Sequence, residues 1–250
     1  TNYPIKKNYK FINFFNNYAL KNYKWIQIEC VCKNSNDELL SSTDRYGVKF
    51  DLVICNSCGL IRAKKHLDQK SIIDFYKNHY ADVMSTTIKS PEDFYNLQKD
   101  TAKTKWKILE NFIEHTIDNN FIILDYGGAA GGTLDKYLGK ANLYVADYNL
   151  SHINFARSKG INTINGGLKE AIKSELKPNL IIMSHVVEHW TDFNNEISDL
   201  IKICRDKTTI YVEFPSIDNK GDFLSEIHLP HNYYYSSNVF VNLMARYGFE

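Results

Sequence analysis

The sequence predicts an α/β fold, with a doubly wound, mainly parallel sheet preceded by a small N-terminal module. Three observations carry this. From residue 121 onward, short apolar runs alternate with amphipathic stretches, the pattern of parallel strands joined by helices. A glycine-rich loop directly follows the first of those runs. Four of the five cysteines crowd into residues 30–65, apart from the alternating region.

Along the chain, residues 1–29 are rich in Lys, Asn and aromatics and end in Trp25-Ile26-Gln27-Ile28. Residues 1–65 form the first zone, and within it Tyr46 to Ile54 reads as hairpin strands. The stretch 66–91 is a connector with a helix-like segment from Ser71 to Tyr80. Residues 92–250 form the core domain. It opens with a helix from Glu92 to Ile117, whose apolar residues Phe94, Leu97, Trp106, Leu109, Phe112 and Ile113 recur at helical spacing. Five strands are expected, at Phe121–Leu124, Asn142–Ala146, Asn162–Ile164, Leu180–Met183 and Thr208–Glu213. Helical patterns separate them at Thr133–Leu138, His152–Lys159, Gly167–Glu175 and Phe193–Ile203. Right-handed crossovers between such strands wind a sheet in both directions. Asn238 to Tyr247 reads as a further helix and Gly248-Phe249-Glu250 as the start of another strand, so a full fold of this type would continue.

With 250 residues and 44% apolar content, the chain suits one large domain or a core plus a small module. A formal net charge of +1 gives no electrostatic case for nucleic acid or an anionic membrane as main partner. No uncharged apolar stretch approaches a membrane span. Thr1 to Lys10 lacks the apolar region of a signal peptide. The expected setting is cytoplasmic, where cysteines suggest metal or free thiols, not a disulfide framework. Thr1 is not Met, so a trimmed start is expected. Oligomerisation is compatible with all of this.

The central segment is Ile122-Ile123-Leu124-Asp125-Tyr126-Gly127-Gly128-Ala129-Ala130-Gly131-Gly132. Small residues let a backbone approach a ligand closely, and the next helix turns its first amides toward it. Asp147 ends the second strand 20 positions beyond Gly127, where a carboxylate accepts ribose hydroxyl protons. An acid, Asp125, precedes Gly127-x-Ala129-x-Gly131. This resembles the first motif of class I S-adenosylmethionine (SAM) dependent methyltransferases, usually acid-x-Gly-x-Gly-x-Gly, with Ala129 replacing the middle Gly. In that family an acid after the third strand often holds the adenine amine; in Asn165-Gly166-Gly167-Leu168, Gly167 stands in its place. Leu180 to His189 resembles the family's fourth motif, and Phe214-Pro215 fits after the fifth strand. The resemblance covers residues 121–215. It implies a Rossmann-like fold, SAM as cofactor, and a cofactor site of Asp125, Tyr126, Gly127, Gly128, Ala129, Gly131, Asp147, Tyr148, Gly167, Leu168 and Ser184.

His185, Glu188 and His189 admit several readings. In a helix they would share one face. His-x-x-Glu-His also matches an inverted zinc-peptidase signature, disfavoured because it starts at a strand end. A divalent metal on this face is one alternative, and helix capping by Glu188 and His189 another. His185, nearest the strand end, is the first candidate for a general base. His228 and His231, in the run Glu226 to Ser236 with Tyr233-Tyr234-Tyr235, are also candidates, since neutral imidazole takes protons near pH 7. Packing is the alternative for each.

Cys30-Val31-Cys32 and Cys55-Asn56-Ser57-Cys58-Gly59 are two close pairs. Four thiolates hold a tetrahedral zinc ion, so Cys30, Cys32, Cys55 and Cys58 are the candidate ligands of a structural Zn²⁺ in a zinc-ribbon module. The Cys-x-Cys pair is tighter than the usual Cys-x-x-Cys, and redox-active or buried thiols are the alternatives. Cys204, in an apolar helix, reads as core. The ribbon, the helix carrying Phe75, Tyr76 and Tyr80, and the core together resemble, over residues 28–250, bacterial methyltransferases with an N-terminal zinc-binding domain. These methylate sugars, sugar nucleotides or surface-polysaccharide precursors. The resemblance implies a small-molecule carbohydrate acceptor, with Tyr76, Tyr80 and Tyr233–Tyr235 placed to stack on rings. The competing expectations are an RNA or protein methyltransferase docking through the ribbon, and a non-catalytic SAM-binding scaffold.

Overall fold

The computed structural model describes residues 8–84, 90–113, 116–218 and 223–250. The first seven residues, read above for a signal peptide, lie outside the described residues, as do parts of the connector and of the helix expected to reach Ile117. Strands among the described residues are β1 (Trp25–Gln27), β2 (Asp37–Thr43), β3 (Lys49–Cys55), β4 (Ile61–Ala63), β5 (Lys65–Leu67), β6 (Ile122–Tyr126), β7 (Asn142–Asp147), β8 (Asn162–Asn165), β9 (Leu180–Ser184), β10 (Thr209–Glu213) and β11 (Tyr233–Tyr234). No described helix is long and apolar enough to cross a membrane.

The chain divides into two compact units. One comprises Thr1–Thr86, Val187–Asn194 and Phe214–Glu250; the other comprises Thr87–Val186 and Asn195–Glu213. Residues 187–194 and 214–250 therefore group with the N-terminal residues, although they follow the core strands in sequence.

The second unit holds a five-stranded parallel sheet in the order β8-β7-β6-β9-β10. The expected α/β fold is present. β6 and β9 are buried at nearly every position, as a sheet covered on both faces requires. Chain order reverses between β6 and β9. At such a switch point, the loops leaving the carboxyl ends of the strands form a ligand crevice. Helix Pro91–Leu109 starts with Ser90 accepting a bond from the Asp93 amide and Pro91 in the first turn. It buries Ala102, Trp106 and Leu109 against a core that includes Phe121, Ile123 and Leu134. It ends eight residues before Ile117. The Asn111 side chain donates from Nδ2 to the Lys107 carbonyl at 2.9 Å, competing with the helical ladder, and Phe112 beyond it is 69% exposed.

The first unit is built on two antiparallel sheets, β1-β5 and β11-β4-β3-β2. β11 pairs with β4 through Tyr233–Arg62 and Tyr234–Ile61, which binds the 214–250 segment into this unit. Residues 9–22, unassigned in the sequence reading, are helical, with π-helical spacing over Phe14–Ala19. Phe11, Phe15 and Ala19 are buried, and Phe15 packs on Phe75 of helix Gln69–Asn78 at 5.3 Å between ring centroids. Helix Ser237–Ala245 is capped by Ser236, and Gly248 to Glu250 form no strand.

Candidate cofactor site and side-chain clusters

The glycine-rich loop leaves β6 at the switch point of the parallel sheet. Gly127 has φ 72°, and its amide bonds the Ala146 carbonyl of β7 at 2.8 Å. A Cβ there would stand 2.6 Å from Val186 Cγ2, so both conformation and space require glycine. Helix Pro91–Leu109 clamps the loop through one side chain. Gln98 Nε2 donates to the Gly128 carbonyl at 3.0 Å, and Gln98 Oε1 accepts from the Gly132 amide at 3.2 Å. The Gly131 amide closes the turn onto the Gly128 carbonyl at 2.9 Å.

Ala129 takes the left-handed backbone, with φ 45°, at the position where the related motif has Gly. A methyl group there costs about 1 kcal/mol relative to glycine. Ala129→Gly should raise unfolding stability by about that amount in urea titration; a loss of stability would contradict the strain.

The Ala129 amide donates to Asp147 Oδ2 at 3.0 Å, and the Asn149 amide donates to Asp147 Oδ1 at 2.8 Å. The acid at the end of β7 is thus locked to the loop at the end of β6. Burial raises the Asp147 carboxyl above its ordinary value, and these two amides oppose the rise. Asp125 is 2% exposed. Burial pushes its carboxyl up to about 7, against the pull of Lys105 and the Thr133 hydroxyl and with a push from Asp147. The folded protein then holds a proton that the unfolded chain releases near pH 4. Stability is full below about pH 4 and falls as pH rises to about 7. Asp125→Asn should flatten that decline in urea unfolding compared across this range; an equally steep decline would contradict it.

Gly167 sits where the related family often has an adenine-binding acid. A Cβ on it would come 2.7 Å from Tyr148 Oη and 3.5 Å from Tyr126 Oη. The two phenols fill the space an acid would need. Leu168, buried at 2% exposure, starts helix Leu168–Lys173, and Glu170 Oε2 reaches back to the Gly167 amide at 3.0 Å.

At the carboxyl ends of β9 and β10, Lys105 Nζ lies 2.6 Å from Ser184 Oγ and 2.7 Å from Glu213 Oε2, and Ser184 Oγ lies 2.9 Å from the same carboxylate oxygen. Burial would raise the Glu213 carboxyl, but Lys105 and Ser184 outweigh it and hold it below its ordinary value. His185 follows Ser184 with φ 56°. Its amide bonds the Glu213 carbonyl at 2.8 Å, and its Nε2 lies 4.0 Å from Glu213 Oε1. The side chain is 57% exposed. Strained backbone at a strand end, beside an anionic partner, is typical of functional positions.

In the first unit the four cysteines converge. Sγ distances are 3.5 Å for Cys30–Cys58, 3.5 Å for Cys30–Cys32 and 3.6 Å for Cys32–Cys55, and all four lie within 4.8 Å of one another. Four sulfurs each about 2.3 Å from a tetrahedral zinc stand roughly 3.8 Å apart, so the cluster fits that ion. Burial raises the Cys55 thiol, but the Ser57 and Cys58 amides, with Cys30 and Cys32, bring it down to about 7. Such amides stabilise a thiolate.

A family model described as a methyltransferase domain matches residues 96–250. The chain belongs to this methyltransferase family. Its fold is similar to that of a SAM dependent methyltransferase from Archaeoglobus fulgidus, at 18% identity, a TM-score of 0.49, and 61% of this chain and 69% of that one covered. It is also similar to magnesium protoporphyrin IX methyltransferase from Synechocystis PCC 6803, at 10% identity, a TM-score of 0.48, and 73% and 86% covered. A search of curated protein sequences finds no match to the chain.

The methyltransferase keeps its other candidate histidines in the first unit. His228 is 5% exposed, with its ring 5.1 Å from Phe11 and 5.3 Å from His231. Burial, with Arg45 and His189 adding, holds it neutral well below the ordinary histidine value. Tyr233, Tyr234 and Tyr235 are each buried, at 3% exposure or less. Sequence reasoning missed Gln98, Lys105 and Glu213. Only the last, at the end of the fifth strand, had a positional signal.

Proposed function

We propose that this methyltransferase uses SAM and methylates a hydroxyl of a sugar, sugar nucleotide or surface-glycan precursor. The observation that carries the cofactor reading is the Asp147 carboxylate, bonded to the Ala129 amide at the carboxyl edge of the sheet. On this reading Asp147 accepts from the ribose hydroxyls beside the loop that would face the methionine portion, and Tyr126, Gly127, Gly128, Gly131, Tyr148, Leu168 and Ser184 complete the cofactor site. Bound SAM supplies an already activated sulfonium methyl. The protein's part is alignment, exclusion of water and removal of the acceptor proton. His185 is the preferred base, since the lowered Glu213 carboxyl stays ionised beside its Nε2 and orients the ring. His228 and His231 are the alternatives.

The carbohydrate reading rests on the cysteine module and the His/Tyr run, through their resemblance to sugar methyltransferases. The convergent thiolates support a structural Zn²⁺ on Cys30, Cys32, Cys55 and Cys58. Sugar nucleotides as acceptors favour a cytoplasmic setting. The test is methyl transfer from labelled SAM to a panel of sugar nucleotides and glycan precursors. Incorporation is expected, and His185→Ala should abolish it while retaining S-adenosylhomocysteine affinity. Undiminished incorporation in that variant moves the base to His228 or His231. No incorporation into any carbohydrate, with cofactor bound, contradicts the acceptor.

A further inference from the structure

A second cluster of metal-ligating side chains lies in the first unit. Glu188, His189 and His231 place one carboxylate oxygen and two imidazole nitrogens within 4.8 Å of one another. His185, three residues before Glu188, belongs to the other unit and takes no part. The Glu188 side chain is 2% exposed, with Oε1 4.0 Å from His189 Nε2. A carboxylate buried this far is stable only beside compensating charge or hydrogen bonds.

Three features indicate a preorganised donor set. His189 Nδ1 lies 2.9 Å from the Pro230 carbonyl, which can only accept, and 2.8 Å from Tyr76 Oη, which then shares the same N–H as a second acceptor. A ring nitrogen donating to a carbonyl fixes the tautomer and leaves Nε2 with its lone pair, as in metal-binding histidines. Asn232, 2% exposed, staples the two ligand-bearing segments together: its amide bonds the Glu188 carbonyl at 2.7 Å, and its Nδ2 bonds the His189 and Trp190 carbonyls at 3.1 and 3.0 Å. His231, the preceding residue, is held against His189 with ring centroids 4.8 Å apart, and its own amide bonds the His228 carbonyl at 2.7 Å. Beside it, His228 Nδ1 is buried without a hydrogen-bond partner among the described residues.

We propose that Glu188, His189 and His231 bind a divalent first-row transition metal, through two imidazole nitrogens and one carboxylate. Donors each about 2.1 Å from such an ion stand roughly 3–3.5 Å apart, so side-chain rotation of about an ångström completes the site. Two imidazoles and one carboxylate select a borderline ion such as Zn²⁺, Fe²⁺ or Co²⁺ over Mg²⁺ or Ca²⁺. Three protein ligands leave coordination positions for water or an oxygen ligand. The assignment does not depend on the cysteine cluster.

Cobalt(II) titration of the full chain, read by visible absorption, tests it. Two equivalents are expected. One carries an intense sulfur-to-cobalt charge-transfer band from the cysteines, and the other only weak d–d bands. Glu188→Gln and His231→Asn should each lose the second equivalent and retain the first, whose thiolate band doubles as the folding control. The assignment is overturned if the native chain binds no cobalt outside the thiolates, or if both variants keep the d–d equivalent undiminished. A d–d equivalent without any thiolate band would remove the cysteine site and leave this one standing, with circular dichroism then reporting the fold.

Discussion

Cys55→Ser is expected to release zinc and to lower unfolding stability by on the order of 3 kcal/mol or more, the largest effect predicted for any single change here. Cys55 ends β3, where Asp37 of β2 is its register partner and its amide bonds the Leu60 carbonyl. The Gly59 amide bonds the Cys55 carbonyl in turn. A metal on Sγ would thus tie the β2–β3 hairpin to the turn before β4 and to the Cys30–Cys32 segment. Arg62, itself buried, adds a bidentate pair with the partly exposed Asp37 at 2.9 and 2.8 Å in the same corner, so loosening it exposes the Arg62 guanidinium as well. Cys204→Ser, in the other unit, serves as control and should leave metal content unchanged. The measurements are zinc content and the thermal midpoint. A native protein purified without metal, or a variant with unchanged midpoint and metal, would contradict the reading.

Asp147→Ala should weaken S-adenosylhomocysteine binding by about 1–3 kcal/mol, roughly 5- to 150-fold in Kd. The carboxylate already accepts from the Ala129 and Asn149 amides, which fixes its orientation before any ligand arrives, so the proposed bonds to ribose hydroxyls would need no reordering. Removing it would lose those bonds and also free the loop amide. Asp147→Asn keeps an acceptor for one amide and should fall between native and Ala. Affinity unchanged in Asp147→Ala would mean that the ribose lies elsewhere.

The parts of the fold legible in the sequence were those where burial imposes a pattern. The five core strands lie within two residues of their expected ends, and two of them stood out because strands covered on both faces must be nearly continuously apolar, as Ile122–Tyr126 and Leu180–Ser184 are. Helix Phe193–Ile203 matches its expected limits. The loop and Asp147 stood out because close backbone approach and a strand-end acid are local features. What was hidden depends on distant partners. Tyr233–Tyr234 pairs with Ile61 and Arg62, and nothing local announces a strand partner so far back in the chain. Gln98 and Lys105 read as ordinary polar positions on an amphipathic helix; their meaning comes from the loop and strand ends they reach. The vacancy at Gly167 makes sense only once Tyr148 Oη is seen beside it. The four-residue spacing of Phe11, Phe15 and Ala19 was visible, but the surrounding Asn and aromatic residues masked a helix whose stability comes from packing on Phe75.

Calorimetric titration of the full chain with S-adenosylhomocysteine tests the central claim most directly. Saturable binding of one equivalent is predicted, weakened in Asp147→Ala in a variant that otherwise unfolds like the native chain. No heat of binding up to millimolar ligand would contradict the assignment of the loop from Gly127 to Gly131 as a SAM site.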